Sequence, residues 1–201
     1  MHIYSYLALG DSYTIGEAVP LNKSFPYQVV QLLRSQEFNF SGPEIIAKTG
    51  WTTDELLDAI NSTTLLSKYD FVTLLIGVNN QYRDREALEY KEQFEELLKK
   101  IIELVNGKKE HVIVVSIPDY SITPYANSMD TEKISKEIEV FNGINKALSI
   151  QYKVQYADIT QTSRESKNNP ALVAPDGLHP SEKEYAKWAE KIVEAISSQL
   201  K

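Results

Sequence analysis

The chain has no cysteine among its 201 residues and only three histidines, His2, His111 and His179. The first absence excludes a disulfide framework, thiolate metal sites and a cysteine nucleophile, and leaves the redox compartment open. The second argues against a metal centre built on several imidazoles. Positive charge is also scarce: 21 Lys and Arg stand against 28 Asp and Glu, a formal charge of −7. Nucleic-acid binding needs a clustered basic surface to neutralise phosphates, so that class is set aside. Long apolar runs are missing as well. The longest, Phe71 to Ile76 and Val112 to Val115, have the length of strands and fall far short of a bilayer span. Met1 to Gly10 lacks a basic start followed by a long apolar stretch. No signal peptide is therefore visible in the chain as given, and a soluble protein is expected, cytoplasmic or exported and matured. What remains is a globular composition, 42% hydrophobic and 24% charged. The length suits one domain over residues 1–201, which buries roughly 70% of its extended surface without a staple.

Apolar runs and helical stripes alternate along the chain. Ile3 to Leu9, Glu44 to Ala47, Phe71 to Ile76, Val112 to Ile117 and Val154 to Ile159 read as five strands. Nearly continuous apolar strands indicate burial on both faces, the habit of parallel sheets. Between them, Phe94, Leu97, Leu98, Ile101 and Val105 recur at helical spacing, as do Tyr185, Trp188, Ala189, Ile192, Val193 and Ile196. Thr52…Glu55 and Ser181…Glu184 have the spacing of capping boxes. The charges at Glu95-Glu96 and Lys99-Lys100 read as a solvated helix face with i,i+4 pairs. The alternation predicts a three-layer α/β domain, in which ligands meet loops leaving the carboxyl ends of the strands.

Polar residues and glycines collect after the strands. Gly10-Asp11-Ser12-Tyr13 follows the first, Gly50-Trp51 the second, Gly77-Val78-Asn79-Asn80 the third, Pro118-Asp119-Tyr120 the fourth, and Asp176-Gly177-Leu178-His179-Pro180 lies beyond the fifth. Acyl transfer at neutral pH needs a hydroxyl nucleophile, a base, a group that orients the base, and donors for the oxyanion. Ser12, at a turn between two glycines, is the candidate nucleophile. His179 is the candidate base, because His2 and His111 precede strands and should fall at the opposite rim. Asp176, three residues earlier, reaches the imidazole within a tight turn and fixes its tautomer. The Asn79 amide and the backbone N–H groups of Gly50 and Ser12 are candidate oxyanion donors. Each segment alone has a plainer reading: Ser12 as a helix cap, Asp176 to His179 as a turn entering a helix, Asn79 and Gly50 as turn residues. Their consistent order at strand ends favours function.

On these residues the chain resembles the SGNH, or GDSL-type, serine hydrolase superfamily, from Gly10 to Pro180. The resemblance implies a flavodoxin-like fold with a five-stranded parallel sheet in order 2-1-3-4-5. It implies esterase or acylhydrolase activity with Ser12, His179 and Asp176 as a triad and Ser12, Gly50 and Asn79 as the oxyanion hole. No metal or organic cofactor is expected. Two positions depart from the family pattern: Tyr13 stands where Leu is common, and Asn80 where Asp is common. Asp11 reads as a structural acceptor rather than a catalytic acid.

The substrate class is a small-molecule ester. Tyr13, Trp51, Gln81, Tyr82 and Arg83 are candidates for lining the entrance, and the Pro118 to Tyr125 loop for another wall; the competing reading packs Trp51 and the tyrosines beneath the loops. No long apolar segment suggests a lipase lid, so short acyl groups, acetyl on a sugar or other small alcohol, are expected. A second class is a flavodoxin-like module without hydrolase activity. There, Ser12-Tyr13-Thr14-Ile15-Gly16-Glu17 would hold a flavin phosphate at a helix start. A partner-binding relative without activity is the third.

Overall fold

The computed structural model describes residues 2–200. Its elements, in chain order, are β1 (Tyr6–Gly10), α1 (Ser12–Ile15), α2 (Phe25–Ser35), β2 (Glu44–Ala47), α3 (Thr53–Ser62), β3 (Phe71–Leu75), α4 (Val78–Tyr82), α5 (Ala87–Leu104), β4 (Val112–Val115), α6 (Thr131–Tyr152), β5 (Gln155–Ala157), α7 (Thr160–Arg164) and α8 (Glu182–Ser197). The strands form one parallel sheet in the order β2-β1-β3-β4-β5. β1, β3 and β4 are buried along their whole length, as their nearly continuous apolar sequences require; the one polar side chain, Thr73 of β3, meets the Tyr6 hydroxyl at 2.8 Å. The edge strands β2 and β5 are only partly buried. α2 packs with α8 over one face, and α3, α5 and α6 pack in series over the other. No helix among the described residues is long and apolar enough to cross a membrane.

The first and last strands are shorter than the apolar runs predict. Tyr4 makes only an isolated bridge to Phe40, and the ladder of β1 begins at Tyr6. Beyond Ala157 the chain turns because the Ser116 hydroxyl accepts the N–H groups of Ile159 at 2.8 Å and Thr160 at 3.1 Å, competing with strand pairing. Both helical stripes are buried as expected. Lys99 pairs with Glu95 at 3.4 Å on the solvated face of α5.

Register puts the site at one edge of the sheet. Gly10 lies opposite Ala47 of β2 and Leu75 of β3, so these three strands end level with one another. Ser12, Gly50 and Asn79 follow within a few residues of those ends. His2 and His111 lie at the other end, where His2 Nε2 is 3.1 Å from Asp70 Oδ1 and His111 Nδ1 is 2.6 Å from the Asp70 carbonyl.

Candidate active site

The corner carrying Ser12 is set by its two predecessors. A Cβ on Gly10 would lie 2.2 Å from Thr14 Oγ1 and 2.3 Å from the Leu75 carbonyl, so only glycine lets the chain turn this close to β3. Asp11 caps α1, accepting the Tyr13 N–H at 3.0 Å. Its other oxygen, Oδ2, is buried with no partner, and burial pushes the carboxyl up to about 7 against the pull of the Tyr13 N–H. This places Asp11 as the structural acceptor expected of it.

His179 is held from two sides. Its Nδ1 is 2.6 Å from Asp176 Oδ2, while Asp176 Oδ1 accepts the N–H groups of Leu178 and His179, each at 3.0 Å. Partial burial raises the Asp176 carboxyl, but these backbone and imidazole hydrogen bonds outweigh it and hold the group below the usual carboxylate range. Across the ring, Tyr13 packs edge-on at 5.5 Å between centroids and is itself backed by Trp188 of α8 at 6.1 Å. Trp188 donates its Nε1–H to Glu184 at 2.8 Å. Glu184 is therefore turned into the core, and the predicted Ser181…Glu184 capping box does not close; Ser181 caps α8 alone, accepting the Lys183 N–H at 3.3 Å. The other box does form, with the Glu55 carboxylate accepting the Thr52 N–H at 2.9 Å.

Opposite the histidine stand the donors. Lys48 to Trp51 is a turn closed by Trp51 N–H on the Lys48 carbonyl at 3.2 Å, with Gly50 at φ +86°, the left-handed position of a type II turn. Arg83 braces it, donating to the Gly50 carbonyl at 2.5 Å. Asn79 donates one amide hydrogen to the Trp51 carbonyl at 2.9 Å, which orients the side chain and leaves the second hydrogen unspent. Neither the Ser12 N–H, in the first turn of α1, nor the Gly50 N–H is spent on another acceptor among the described residues.

Ser12, Gly50, Asn79 and His179 line one cavity of about 160 Å³. No hydrogen bond joins the Ser12 hydroxyl to His179 among the described residues; such contacts are commonly loose until substrate arrives. Of the candidate substrate contacts, Tyr13 and Tyr82 line this cavity, whereas Trp51, Gln81 and Arg83 do not. Trp51 packs against the hydrophobic core and offers only its carbonyl, to Asn79. Gln81 is buried between Glu137 and Tyr120, and Arg83 serves the Gly50 turn. Sequence reasoning singled out the segment that carries Tyr120 and Tyr125, which do line the cavity, but gave Thr49, Val78 and Leu178 no role in the site. Each of these three is the immediate neighbour of a named residue, and that adjacency was the available signal. The phosphate-loop alternative fares poorly here, since α1 ends after four residues and the Asp11 carboxyl already occupies its start, accepting the Tyr13 N–H.

The sequence matches the GDSL-like lipase/acylhydrolase family model over residues 8–187. The chain belongs to this family. Solved structures share its fold at low identity. A lipase/acylhydrolase from Enterococcus faecalis is 20% identical with a TM-score of 0.77, covering 99% of this chain and 97% of that one. The acetylxylan esterase Axe2 from Geobacillus stearothermophilus is 20% identical with a TM-score of 0.75, at 96% and 94% coverage. The psychrotrophic esterase EstA from Pseudoalteromonas sp., solved after inhibition by monoethylphosphonate, is 14% identical with a TM-score of 0.74, at 98% of each chain. No curated protein sequence matches the chain.

Within this GDSL-family hydrolase the two unusual positions have separate tasks. Tyr13 supplies the aromatic face behind His179. Asn80 is fully buried and joins α4 to α3, its Oδ1 accepting the Thr53 N–H at 3.1 Å and its Nδ2 donating to Thr53 Oγ1 at 2.7 Å. An amide can accept and donate at once; an ionised aspartate could only accept.

Proposed function

We propose that this chain hydrolyses carboxylic esters through an acyl-enzyme on Ser12, preferring short acyl groups, acetyl foremost, on a sugar or another small alcohol. The observation that carries the reading is the Asp176–His179 pair, which borders the same cavity as Ser12, Gly50 and Asn79. With Nδ1 committed to Asp176, the imidazole presents Nε2 as the base. Ser12 Oγ attacks the ester carbonyl as His179 takes its proton, and the oxyanion meets the Ser12 N–H, the Gly50 N–H and the free amide hydrogen of Asn79. His179 then hands the proton to the departing alcohol, and water releases the acid by the same steps in reverse order of roles. Asp176 stays ionised and stabilises the imidazolium. The chemistry uses only these side chains and backbone groups.

Cavity size supports the short-acyl preference. About 160 Å³ is close to the roughly 150 Å³ of an engineered cavity known to hold benzene. A space of that size takes an ester carbonyl with a short chain and leaves the far end of a decanoyl group outside it. The acetylxylan esterase activity of the structural neighbour Axe2 points the same way.

The test is intact-mass analysis after treatment with a serine-directed phosphonate, comparing wild type with Ser12→Ala, followed by an ester panel. One adduct on wild type, mapped to Ser12 and missing from the variant, is expected, with turnover falling from acetyl to decanoyl esters. A folded protein that takes no adduct would return the binding-module reading. Turnover rising steadily towards decanoyl would refute the short-acyl preference.

A further inference from the structure

Two tyrosines from different elements form the outer wall of the cavity. Tyr82 ends α4, Tyr125 lies in the 3-10 segment Pro124–Ser128, and their hydroxyls meet at 2.9 Å. Tyr82 is 50% and Tyr125 41% exposed, so the pair stands between the cavity and solvent rather than beneath it. Both are anchored from behind. The Tyr125 N–H donates to the Gly177 carbonyl at 2.9 Å, tying the wall to the loop that carries Asp176 and His179. Tyr82 packs edge-on against Tyr120, with ring centroids 6.4 Å apart. Tyr120 in turn donates its hydroxyl to buried Gln81 at 3.0 Å, and Gln81 donates to Glu137 at 2.7 Å. The polar end of Tyr120 is thus committed elsewhere, and its ring is what remains for the cavity.

Position decides which half of an ester meets this wall. The departing oxygen must reach His179 to collect its proton, so the alcohol lies on the histidine side. The carbonyl oxygen lies against Asn79. Tyr82 is three residues further along α4, on the same face as Asn79 and about one turn away. Tyr125 reaches the wall from the histidine side through Gly177, whereas Tyr82 closes it on the α4 side, one turn beyond Asn79; the bridged hydroxyls cap the space that opens there, and an acyl chain directed along α4 ends on them.

We propose that the hydroxyl-bridged pair of Tyr82 and Tyr125 is the specificity-determining wall that limits the length of the acyl chain. This rests on the ester hydrolysis at Ser12 set out above. Removing either ring opens the cavity towards solvent instead of into the core, so the space gained is continuous and can take added methylenes. Breaking the bridge while keeping both rings loosens the wall without removing it.

The experiment measures kcat/KM on p-nitrophenyl acetate, butyrate, hexanoate and decanoate for wild type, Tyr82→Ala, Tyr125→Ala, Tyr82→Phe and Tyr125→Phe. The decanoate-to-acetate ratio is expected to rise by at least about tenfold in each alanine variant, since several added methylenes must be accommodated and each is worth roughly tenfold or more in an apolar pocket. The phenylalanine variants should move in the same direction by less. An active wild type whose ratio is unchanged in both alanine variants overturns the wall and leaves ester hydrolysis standing. A wild type that takes no phosphonate on Ser12 and turns over no ester removes both. Should an alanine variant lose its fold by circular dichroism, the phenylalanine pair decides, with an unchanged ratio again overturning the proposal.

Discussion

Asp11 and Asp176 flank the same cluster, and their surroundings drive them in opposite directions. Asp176 keeps about a third of its side chain in solvent and collects donors, so it remains charged and can orient an imidazole. Asp11 is fully buried with one bare oxygen, and burial holds its carboxyl near 7, against an ordinary value of 3.8. The folded chain therefore keeps the Asp11 proton over a range in which the unfolded chain has lost it. Its contribution to stability is complete below about pH 4 and is lost as pH rises through about 7. Asp11→Asn keeps the cap acceptor and removes the titration. Relative to wild type, the variant should gain on the order of 3 kcal/mol between pH 5 and pH 8.5, read from urea unfolding at the two values. An equal difference at both would show that Asp11 does not carry a raised pKa. The Asp176 to His179 turn was readable in the sequence because its two ends are only three positions apart; the state of Asp11 was not, because burial is supplied by residues far along the chain.

Among the elements, α4 is the one that most needs help. It has five residues, too few to persist alone, yet it carries both Asn79 and Tyr82. Asn80 ties it to the start of α3 through both groups of Thr53, and Thr53 Oγ1 donates onward to Gln93 of α5. Asn80→Ala leaves the Thr53 N–H buried without its acceptor and should cost about 1–3 kcal/mol. A shift in the urea midpoint at unchanged slope checks this, and an unmoved midpoint would deny Asn80 the task. Strands and long helices were legible from apolar runs and periodicity, since β1, β3, β4, α5 and α8 each display their buried residues locally. The Ser181…Glu184 spacing misled because Trp188, one turn further on, offers the Glu184 carboxylate a buried N–H donor. A spacing rule sees the cap and not the competing partner.

At the level of the whole molecule, the candidate site draws on residues from Ser12 near one end of the chain to His179 near the other, and every piece is mounted on a single sheet. α8 lies directly behind His179 through Trp188 and Tyr13, so the last helix and the first loop share one aromatic stack. We therefore expect one cooperative unit. Calorimetry should give a single unfolding transition whose calorimetric and van't Hoff enthalpies agree; two resolved transitions would divide the chain. The sequence by itself determined what depends on near neighbours: apolar runs long enough for strands, helical stripes, the Gly10-Asp11-Ser12 corner, and the short turn from Asp176 to His179. Tertiary structure alone decided which side chains border the cavity. Trp51, Gln81, Arg83 and Tyr82 are close in sequence to the candidate oxyanion residues Gly50 and Asn79, yet distant partners direct them: the core takes Trp51, Glu137 and Tyr120 take Gln81, the Gly50 carbonyl takes Arg83, and Tyr125 meets Tyr82. A side chain points where packing and hydrogen bonding across the fold leave it, and no local pattern encodes partners supplied tens of residues away.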